Sequence, residues 1–549
     1  MIPLHVHSYY SLMEGAVPVE SIIEKAKDFC LPAIALTDTN GMYGLIEFAK
    51  KATGANIKPL FGAYIDDPPN LPAGLHTEGM GTGKKIYALF IAKNPEGYAD
   101  LCKIITSRKL KDDFSLIKLL QNNFPNLFII TSSLELLKNI PLKQNIFAEL
   151  ITTKKWEGRT RNLYEYASLK KISYVASNPV YFLNREDHLI HKVLKTINER
   201  GTLENIHADE LVDEGFYFKN PGELMQLWKN LPQAVESTYF IAENCNVDLE
   251  LGKYKFPSLK NSNEDTFTIL WKLAFDGLRQ RYSNSSSEAV DRLNRELDVI
   301  YNLHLTDYFL VVWDILREAK GRGMLHIGRG SAANSIVSYC LGFTDIDPIE
   351  HNLFFERFLN MSRSSPPDID IDFSWKERDE IVKYVFEKYG YDKVAMISTH
   401  VTFRARSAFR EVAKVFGIPD SEITKKSKYI PWTDARNLPN VPGLFPEAKS
   451  LKLNEEPWKT IVNIAAKLAN FPRHLSIHPG GIVIAPQPIT NYVALEYAKN
   501  KGLGLIITQP DMHGVEDLGL VKIDLLSQRS LGVLRDTIAR IKFNNSIYE

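Results

Sequence analysis

The chain has 549 residues, which is enough for about three to four domains of roughly 150 residues each. Its composition, 44% hydrophobic, 24% charged and 11% aromatic, excludes a wholly disordered, collagen-like or coiled-coil chain. Lysine plus arginine and aspartate plus glutamate both number 66, so the formal net charge is zero. This balance argues against a polycation that coats DNA along its whole surface and leaves a local basic cleft possible.

Strand and helix patterns alternate over the first 220 residues. Apolar runs predict strands, and three- and four-residue spacing predicts a helix at 19–29. The predicted strands are 33–37, 57–64, 86–92 and 127–131. This alternation favours α/β layers with parallel strands. Stretches rich in proline, aspartate and glycine at 66–70 and 79–83 indicate a loop.

The pattern becomes helical from about Gly222 to Arg322, with helices predicted at 294–305 and 308–320. A second helical region, locally basic, covers 400–470. Strand signals return at 480–484 and 505–508, and a last helix is predicted at 527–541. No apolar stretch reaches about 18 residues, so no membrane-spanning helix is predicted. The four scattered cysteines and the absence of a signal peptide predict a cytoplasmic, reduced protein.

The strongest motif is an aspartate stripe, PPDIDIDF, at 366–373. Its period of two places Asp368, Asp370 and Asp372 on one face of a strand. Aligned carboxylates repel each other, so the stripe needs a cation, and converging carboxylates suit Mg²⁺. An EF-hand loop is excluded, because its sixth and twelfth positions are Phe373 and Asp379 here. A solvent-exposed polar strand face is the alternative.

Three further patterns carry possible chemistry. The glycine-rich GRGSAANS at 328–335 precedes an apolar run, which is typical of a phosphate cradle at a helix N-terminus. In this arrangement Ser331 both caps the helix and donates to the anion; a plain N-capped helix is the alternative. The segment GLVKIDLL at 519–526 predicts a strand with Lys522 and Asp524 on one face. It can supply a third acidic ligand, as a two-metal site requires, or form an ordinary edge-strand ion pair.

A basic stretch with interleaved apolar residues runs through 404–428 and predicts amphipathic helices with a cationic face. Near a phosphoryl-transfer centre such a face favours contact with the DNA backbone, and a solvated helix surface is the alternative. His5 and His7 form a His-x-His pair that can point both rings at one metal. Because no further ligands are obvious nearby, ordinary histidines are the favoured interpretation.

These segments resemble the catalytic subunit of bacterial C-family DNA polymerases, the DNA polymerase III alpha type, over essentially the whole chain. The matching segments are 308–314, 328–335, 355–360, 366–373, 405–408, 479–481 and 521–524. Segments 471–476 and 522–524 are closer to the error-prone accessory branch of that family.

The resemblance implies a multidomain α/β fold. The expected domains are a PHP-type α/β barrel at 1–220, a polymerase-β-like nucleotidyltransferase palm at 221–399 and 479–528, an inserted helical thumb at 400–478, and the start of truncated fingers at 529–549. The implied reaction is attack of a primer 3′-hydroxyl on the α-phosphorus of a dNTP with two Mg²⁺ ions, in replication or repair. The implied partners are primer–template DNA, dNTPs, a C-terminal polymerase half, and a sliding clamp or other replisome subunits, with no membrane.

The resemblance also implies roles for individual residues. The catalytic and metal-binding carboxylates would be Asp368, Asp370 and Asp524, with Asp372 the neighbour least certain of a role. The nucleotide-binding residues would be Gly330, Ser331, Arg357 and Lys522. The DNA-binding residues would be Arg404, Arg406, Arg410, Lys425 and Lys426.

The PHP region departs from the metal-binding members of the family. Thr39, Tyr64 and Tyr181 stand where those members carry ligands. The remnants His5, His7, Asp38 and His191 are kept. We therefore expect a degenerate PHP domain that keeps its fold, binds metals poorly and buttresses the palm.

Two smaller differences from the usual family motifs are Asn334 in place of a glycine and Met361-Ser362 in place of Pro-Glu. They put little in doubt about the resemblance. The largest departure is length. The chain ends about 25 residues after Asp524, whereas family members continue into fingers, a clamp-binding region and an OB domain. A gene fragment, one half of a split polymerase and a shortened paralogue all remain open.

The leading hypothesis is therefore a DNA-directed DNA polymerase catalytic subunit, or its N-terminal portion. One alternative is a PHP-type 3′–5′ exonuclease or phosphoesterase, and the lost PHP ligands argue against it. The other is a non-catalytic DNA-binding fragment or scaffold. The intact acidic residues argue against this second alternative, and the missing fingers favour it.

Overall fold

The computed structural model describes residues 1–67, 86–257, 265–282, 287–360, 367, 369–498 and 504–548. Residues 79–83 of the predicted loop lie outside these ranges, and so does Asp368. The chain divides into two compact units, each discontinuous in sequence. Unit 1 comprises Met1–Leu249, Thr399–Ser476 and Asn491–Asn500, and unit 2 comprises Glu250–Ser398, Ile477–Thr490 and Lys501–Glu549.

The helices and strands are numbered in chain order. The helices are α1 Val19–Asp28, α2 Leu45–Gly54, α3 Pro95–Leu110, α4 Leu116–Leu119, α5 Leu134–Asn139, α6 Glu157–Lys170, α7 His188–Asn198, α8 Pro221–Trp228, α9 Pro232–Glu243, α10 Thr266–Arg281, α11 Ser287–Asn302, α12 Thr306–Gly321, α13 Ile336–Leu341, α14 Arg378–Tyr389, α15 Ala405–Val415, α16 Asp420–Ser427, α17 Val441–Leu444, α18 Trp458–Lys467, α19 Met512–Asp517 and α20 Arg529–Tyr548. The strands are β1 Ala33–Leu36, β2 Lys58–Asp66, β3 Tyr87–Ala92, β4 Leu127–Thr131, β5 Ile146–Ile151, β6 Ser173–Ser177, β7 His326–Arg329, β8 Asp370–Ser374, β9 Val394–Thr402, β10 Pro472–Ile484, β11 Leu495–Tyr497, β12 Ile506–Asp511 and β13 Lys522–Gln528.

A six-stranded sheet in the order β1-β2-β3-β4-β5-β6 forms the centre of unit 1. The predicted strands and the helix α1 are confirmed within a few residues. The expectation of parallel strands is wrong at β3, which runs antiparallel to both β2 and β4. Parallel neighbours need a crossover connection, usually helical, and the sequence between β2 and β3 is rich in glycine and proline instead.

The N-terminal segment joins the two edges of this sheet. On one side, the amide of Thr37 donates to the carbonyl of Val6 at 2.8 Å. On the other side, the amide of His7 donates to the carbonyl of Val180 at 2.8 Å, and the amide of Val180 donates to the carbonyl of His5 at 2.9 Å. The sheet therefore curls on itself, which buries His5 and His7.

The helices of segment 399–476 also belong to unit 1. In α15 the residues that recur at three- and four-residue spacing are buried: Ala405, Ala408, Phe409, Val412 and Ala413. This apolar face packs against α7, α16 and α18, while the opposite face carries the predicted cations.

Unit 2 contains a sheet with the strand order β12-β9-β10-β13-β8-β7. The aspartate stripe forms β8 as predicted, with Ile371 and Phe373 fully buried. The two helices predicted before it are α11 and α12. The predicted last helix begins at Arg529, two residues later than expected, because β13 continues to Gln528.

Among the described residues no single helix is long and apolar enough to cross a membrane. Only α11 and α12 taken together pass such a test, and they are bent by 113° relative to each other.

Candidate active site

The centre of the candidate site is a pair of carboxylates on neighbouring strands of unit 2. β8 and β13 are parallel, and Asp370 lies directly opposite Asp524 in their register. Neighbouring strands are about 4.8 Å apart, and residues in register project to the same face of a sheet. The structure thus brings together two of the three predicted carboxylates, although 154 positions separate them in the sequence. The third, Asp368, lies outside the described residues.

Asp524 is almost completely buried, with 8% of its side chain exposed. Its Oδ2 accepts a hydrogen bond from Lys522 Nζ at 2.6 Å, which confirms that the two side chains share a face. Its Oδ1 is buried and has no hydrogen-bond partner among the described residues. The nearest cationic candidate, His478 Nδ1, lies 3.6 Å away and already accepts the amide hydrogen of Gly481 at 2.7 Å.

A buried oxygen without a partner costs roughly 1–3 kcal/mol, and more when it is charged. The Oδ1 atom of Asp524 therefore favours a cation that contacts it directly. Hard oxygen donors on adjacent strands fit Mg²⁺, which takes one or two carboxylates together with substrate phosphates. Among the described residues no group of three or more histidine, cysteine or acidic side chains lies close enough to hold a metal by itself.

Asp372 differs from these two carboxylates because each of its oxygens accepts a hydrogen bond from another side chain. Its Oδ1 accepts from Arg329 Nε at 3.1 Å, and its Oδ2 accepts from Gln528 Nε2 at 3.2 Å. The same guanidinium places Nη2 at 3.9 Å from Asp370 Oδ2. Arg329 therefore partly neutralises both aspartates, and Asp372 is better suited to hold Arg329 than to bind a metal.

The glycine-rich loop begins beside Asp370. β7 runs antiparallel to β8 with Arg329 opposite Asp370, and Gly330 follows with φ of +74°, which disfavours any residue with a Cβ. A Cβ at Gly330 would lie 4.0 Å from Asp370 Oδ2, so the loop backbone closely approaches the carboxylate. At Gly328 a Cβ would lie 2.1 Å from the carbonyl oxygen of Phe343, so this position requires glycine as well.

The expected helix cap at Ser331 is wrong. Residues 330–334 form one turn of 3₁₀ helix, and the N-cap of α13 is Ser335, whose Oγ accepts from the amide of Ser338 at 3.1 Å. The cap lies later because the apolar helical run begins only at Ile336. Ser331 is half-buried within the turn, and its hydroxyl is not used as a cap.

A buried ion pair on α11, which sequence reasoning missed, holds this loop in place. Glu296 Oε2 accepts from Ser335 Oγ at 2.7 Å and from the amide of Val337 at 3.3 Å. Arg292 pairs with Glu296 at 3.0 Å and donates to the backbone carbonyls of Asn334, Leu353 and Pro348. Burial raises the pKa of Glu296, and its hydrogen bonds and Arg292 partly oppose this shift.

The remaining predicted nucleotide-binding residue, Arg357, lies in the 3₁₀ turn Phe355–Arg357, which packs against the glycine-rich turn. Its side chain is exposed, and it forms no ion pair with any residue that the structure describes.

The predicted DNA-binding cations lie on α15 and α16 of unit 1 or, for Arg404, at the N-cap of α15, and three of them have hydrogen-bond partners in the protein. Arg406 donates to the carbonyl of Ile430 through Nε at 3.2 Å and Nη2 at 2.6 Å. Arg410 donates to Thr424, Ser427 and Asp420 on α16. Arg404 is exposed and donates from Nη1 to Asn470 Oδ1 at 3.0 Å. Lys425 is exposed, and Lys426 Nζ lies 4.7 Å from the ring centroid of Trp458. The cationic face is present, but Arg406 and Arg410 also fasten its helices.

His5 and His191 line a cavity of unit 1 together with tyrosine side chains, and His7 lies against His5. His5 Nε2 lies 3.0 Å from His7 Nε2, and His5 Nδ1 lies 2.6 Å from Glu149 Oε1. His7 stacks on Tyr181 with ring centroids 4.0 Å apart. Burial lowers the pKa of His7 well below its usual value and lowers that of His191 to about 4.

Glu149 is a second residue that sequence reasoning missed. It is fully buried and also accepts from Tyr87 at 2.6 Å and from Ser177 at 2.7 Å. Asp38 accepts from Ser8 and Ser11, and burial raises its pKa to about 6. Hydrogen-bond partners and tyrosine rings thus surround the residues of the PHP region that would have to bind a metal ion.

Comparison with known proteins identifies a known domain around the histidines of unit 1 and another around the carboxylates of unit 2. Residues 3–150 match the family model of the PHP domain, and residues 268–527 match that of the bacterial DNA polymerase III alpha NTPase domain. An error-prone DNA polymerase of Symbiobacterium thermophilum is 31% identical, over 98% of this chain and 52% of that protein. The DNA polymerase III alpha subunit of Bacillus subtilis is 32% identical, over 100% of this chain and 50% of that protein. The alpha subunit of Borreliella burgdorferi is 35% identical, over 97% of this chain and 49% of that protein. The chain spans about half the length of the curated relatives it matches. It therefore carries a PHP domain and a bacterial DNA polymerase III alpha NTPase domain, and it is a sequence relative of DNA polymerase III alpha subunits and error-prone DNA polymerases.

Proposed function

We propose that the chain supplies the catalytic part of a DNA-directed DNA polymerase, which adds dNTPs to a primer 3′-hydroxyl. The observation that carries this proposal is the in-register pair Asp370 and Asp524, together with the buried Oδ1 of Asp524, which has no hydrogen-bond partner among the described residues. Asp368, Asp370 and Asp524 would hold two Mg²⁺ ions. When bound, these ions would lower the pKa of the primer hydroxyl and stabilise the charge of the leaving pyrophosphate.

The surrounding residues would position the nucleotide. Gly330 and Ser331 offer backbone amides beside Asp370, and Lys522 and Arg357 offer positive charge to phosphate oxygens. Asp524 would accept the proton of the primer hydroxyl. Arg292 and Glu296 would keep the glycine-rich turn in its binding conformation, because they hold its C-terminal end through hydrogen bonds at Asn334 and Ser335.

In domain terms, we propose a PHP-type α/β barrel at 1–220, a palm at 221–399 and 479–528, a thumb at 400–478 and the start of fingers at 529–549. The curled sheet of unit 1 supports the barrel, and the break in unit 2 between Ser398 and Ile477 supports an inserted thumb. Arg404, Lys425 and Lys426 would contact the DNA backbone, with Arg406 and Arg410 adding charge and fixing their helices. The proposed partners are primer–template DNA, dNTPs, the remaining half of a polymerase and replisome subunits such as a sliding clamp, in the cytoplasm.

A second candidate is phosphoesterase or 3′–5′ exonuclease activity in the PHP domain, which the cavity lined by His5 and His191 favours. Two observations argue against it. Tyr64 and Tyr181 line this cavity where metal ligands are expected, and His5 is engaged by Glu149. We therefore propose a mainly structural role for the PHP domain.

The test is primer extension by residues 1–549 with Mg²⁺ and four dNTPs, with and without the part of a relative that this chain does not span. Because the relatives are about twice as long, we expect very slow or no extension by the chain alone and extension with the added half. Asp370→Ala should abolish the reconstituted activity, while Asp379→Asn, an exposed carboxylate of the same unit, should leave it unchanged. Extension that survives Asp370→Ala would refute the proposed site. Robust extension by the unaided chain would refute the need for a second half.

A further inference from the structure

The most exposed large apolar side chain among the described residues is Trp432, which is 92% accessible. Tyr429, three residues earlier, is 48% accessible. Tryptophan is highly buried on average in folded proteins, so a nearly fully exposed indole three positions after a half-exposed phenol indicates a contact that is made with another molecule.

The backbone that carries Trp432 is anchored on both sides. Ile430 is fully buried, and its carbonyl accepts both hydrogen bonds from Arg406. The carbonyl of Thr433 accepts from the amide of Ala405 at 3.2 Å, and its Oγ1 accepts from Asn437 at 2.8 Å. The exposure of Trp432 is therefore imposed by fixed neighbours rather than by a loose loop, and a platform held in this way loses little entropy when it binds.

The segment that carries Trp432 has a net positive charge. Segment 399–476 contains 13 lysines and arginines against 7 aspartates and glutamates, although the whole chain is neutral. Lys425 and Lys428 are exposed and form no ion pair with any described residue. The nearest acidic side chain in the sequence, Asp434, is held by the guanidinium of Arg436 at 3.0 Å. The surface therefore complements a polyanion that also has flat apolar faces.

We propose that Tyr429 and Trp432 form a stacking site for unpaired nucleotides, with Lys425 and Lys428 contacting the adjacent phosphates. Bases in a duplex already stack on each other, so every base of a single strand, but only the two terminal pairs of a duplex, can present a free face to an aromatic ring. This inference rests on the proposed function, because it takes the polyanion to be nucleic acid. It adds a binding site to the cations assigned above and states which form of nucleic acid it selects.

The experiment measures the affinity of residues 1–549 for a fluorescent oligo-dT and for a blunt duplex of the same length, at several salt concentrations. Trp432→Ala should weaken oligo-dT binding about 10-fold, and Trp432→Phe should keep most of the affinity, since stacking contributes in the range of a few kcal/mol per base. The slope of log affinity against log salt should stay unchanged in both variants. Lys428→Ala should reduce this slope by about 0.7, because one phosphate contact to a single strand is lost.

Two matched variants control for general surface effects. Leu444→Ala removes another exposed apolar side chain of the same segment, 57% accessible, and Lys449→Ala removes another exposed lysine. Neither should change oligo-dT binding. Thermal unfolding of every variant should match that of the original chain, because each substituted side chain is exposed.

Three outcomes would overturn the proposal: unchanged affinity of Trp432→Ala, an equal loss in Leu444→Ala, or equal effects of Trp432→Ala on oligo-dT and blunt duplex. Asp370→Ala should retain full oligo-dT affinity. If no condition gives primer extension while Trp432→Ala still loses oligo-dT binding, the polymerase proposal fails and the stacking site stands.

Discussion

The ion pair between Lys522 and Asp524 allows the proposed metal site to be tested without any assay of activity. Lys522 Nζ lies 2.6 Å from Asp524 Oδ2, and only 12% and 8% of the two side chains are exposed. The substitution Lys522→Met keeps the length of the side chain and removes its charge. Asp524 then keeps a buried negative charge without this counterion, next to an Oδ1 that already has no hydrogen-bond partner among the described residues.

The expected cost follows from this burial. Removing one partner of a buried ion pair typically costs about 3–5 kcal/mol, and the slight exposure of this pair places it near the lower end, about 3 kcal/mol. A divalent cation supplies the missing charge. If Lys522 weakens cation binding tenfold, saturating Mg²⁺ should stabilise Lys522→Met by about 1.4 kcal/mol more than it stabilises the original chain.

The assay is urea unfolding in EDTA and in Mg²⁺. Lys51→Met is the matched control, because Lys51 pairs with Glu20 at 3.0 Å with 34% and 64% of the side chains exposed. It should cost at most about 1 kcal/mol and show no additional response to Mg²⁺. The double variant Lys522→Met/Asp524→Asn should lose the additional response. An equal Mg²⁺ response in all four proteins would refute the assignment of Asp524 as a metal ligand.

Three further predictions concern other parts of the molecule. Arg292→Lys keeps the positive charge but loses the two guanidinium contacts to the carbonyls of Asn334 and Leu353. The KM for dNTP in the reconstituted polymerase should therefore rise about 10-fold, while the circular dichroism spectrum stays unchanged. Burial raises the pKa of Asp38 from 3.8 to about 6. The contribution of Asp38 to the free energy of unfolding is therefore fully present below pH 3.8 and is lost as pH rises through 6, a decrease of about 3 kcal/mol. Asp38→Asn should remove this pH dependence in urea unfolding. Tightly bound zinc or manganese in the PHP domain should amount to less than one equivalent, because hydrogen-bond partners and tyrosine rings surround His5 and His7. His5→Ala/His7→Ala should therefore not change the amount measured by mass spectrometry.

The period-two and three-to-four patterns correctly located β8 and the amphipathic helices, because burial of one face controls both. The pairing partner of a strand depends on contacts far apart in sequence, and local patterns do not encode it. The direction of β3 is one example. Another is the grouping of segment 399–476 with unit 1, where α15 packs on α7 more than 200 positions earlier in the chain.

The candidate site shows the same limit. Asp370 and Asp524 were expected to meet because phosphoryl transfer needs ligands from several strands, and the parallel register of β8 and β13 brings them together. Glu296 was missed because an Arg–Glu pair four positions apart on a helix usually lies on the surface. A signal was present: Glu296 shares its helix face with Leu293, Leu297 and Ile300, so the apolar periodicity already places it inside. Likewise, Glu149 within the apolar run IFAELI indicates a buried partner, which is His5.

The charges of the site suggest how nucleotide binding and metal binding are linked. Three described carboxylates, Asp370, Asp372 and Asp524, contact two cations, Arg329 and Lys522. A triphosphate that approached alone would meet this net negative charge, and divalent cations that approached alone would compete with the two basic side chains. When both arrive together, the carboxylates can exchange their contacts with Arg329 and Lys522 for metal ligation, and the released side chains can turn to the phosphates. Each ligand therefore removes the charge that opposes the other, so under the proposed function nucleotide and Mg²⁺ should bind with positive and reciprocal coupling.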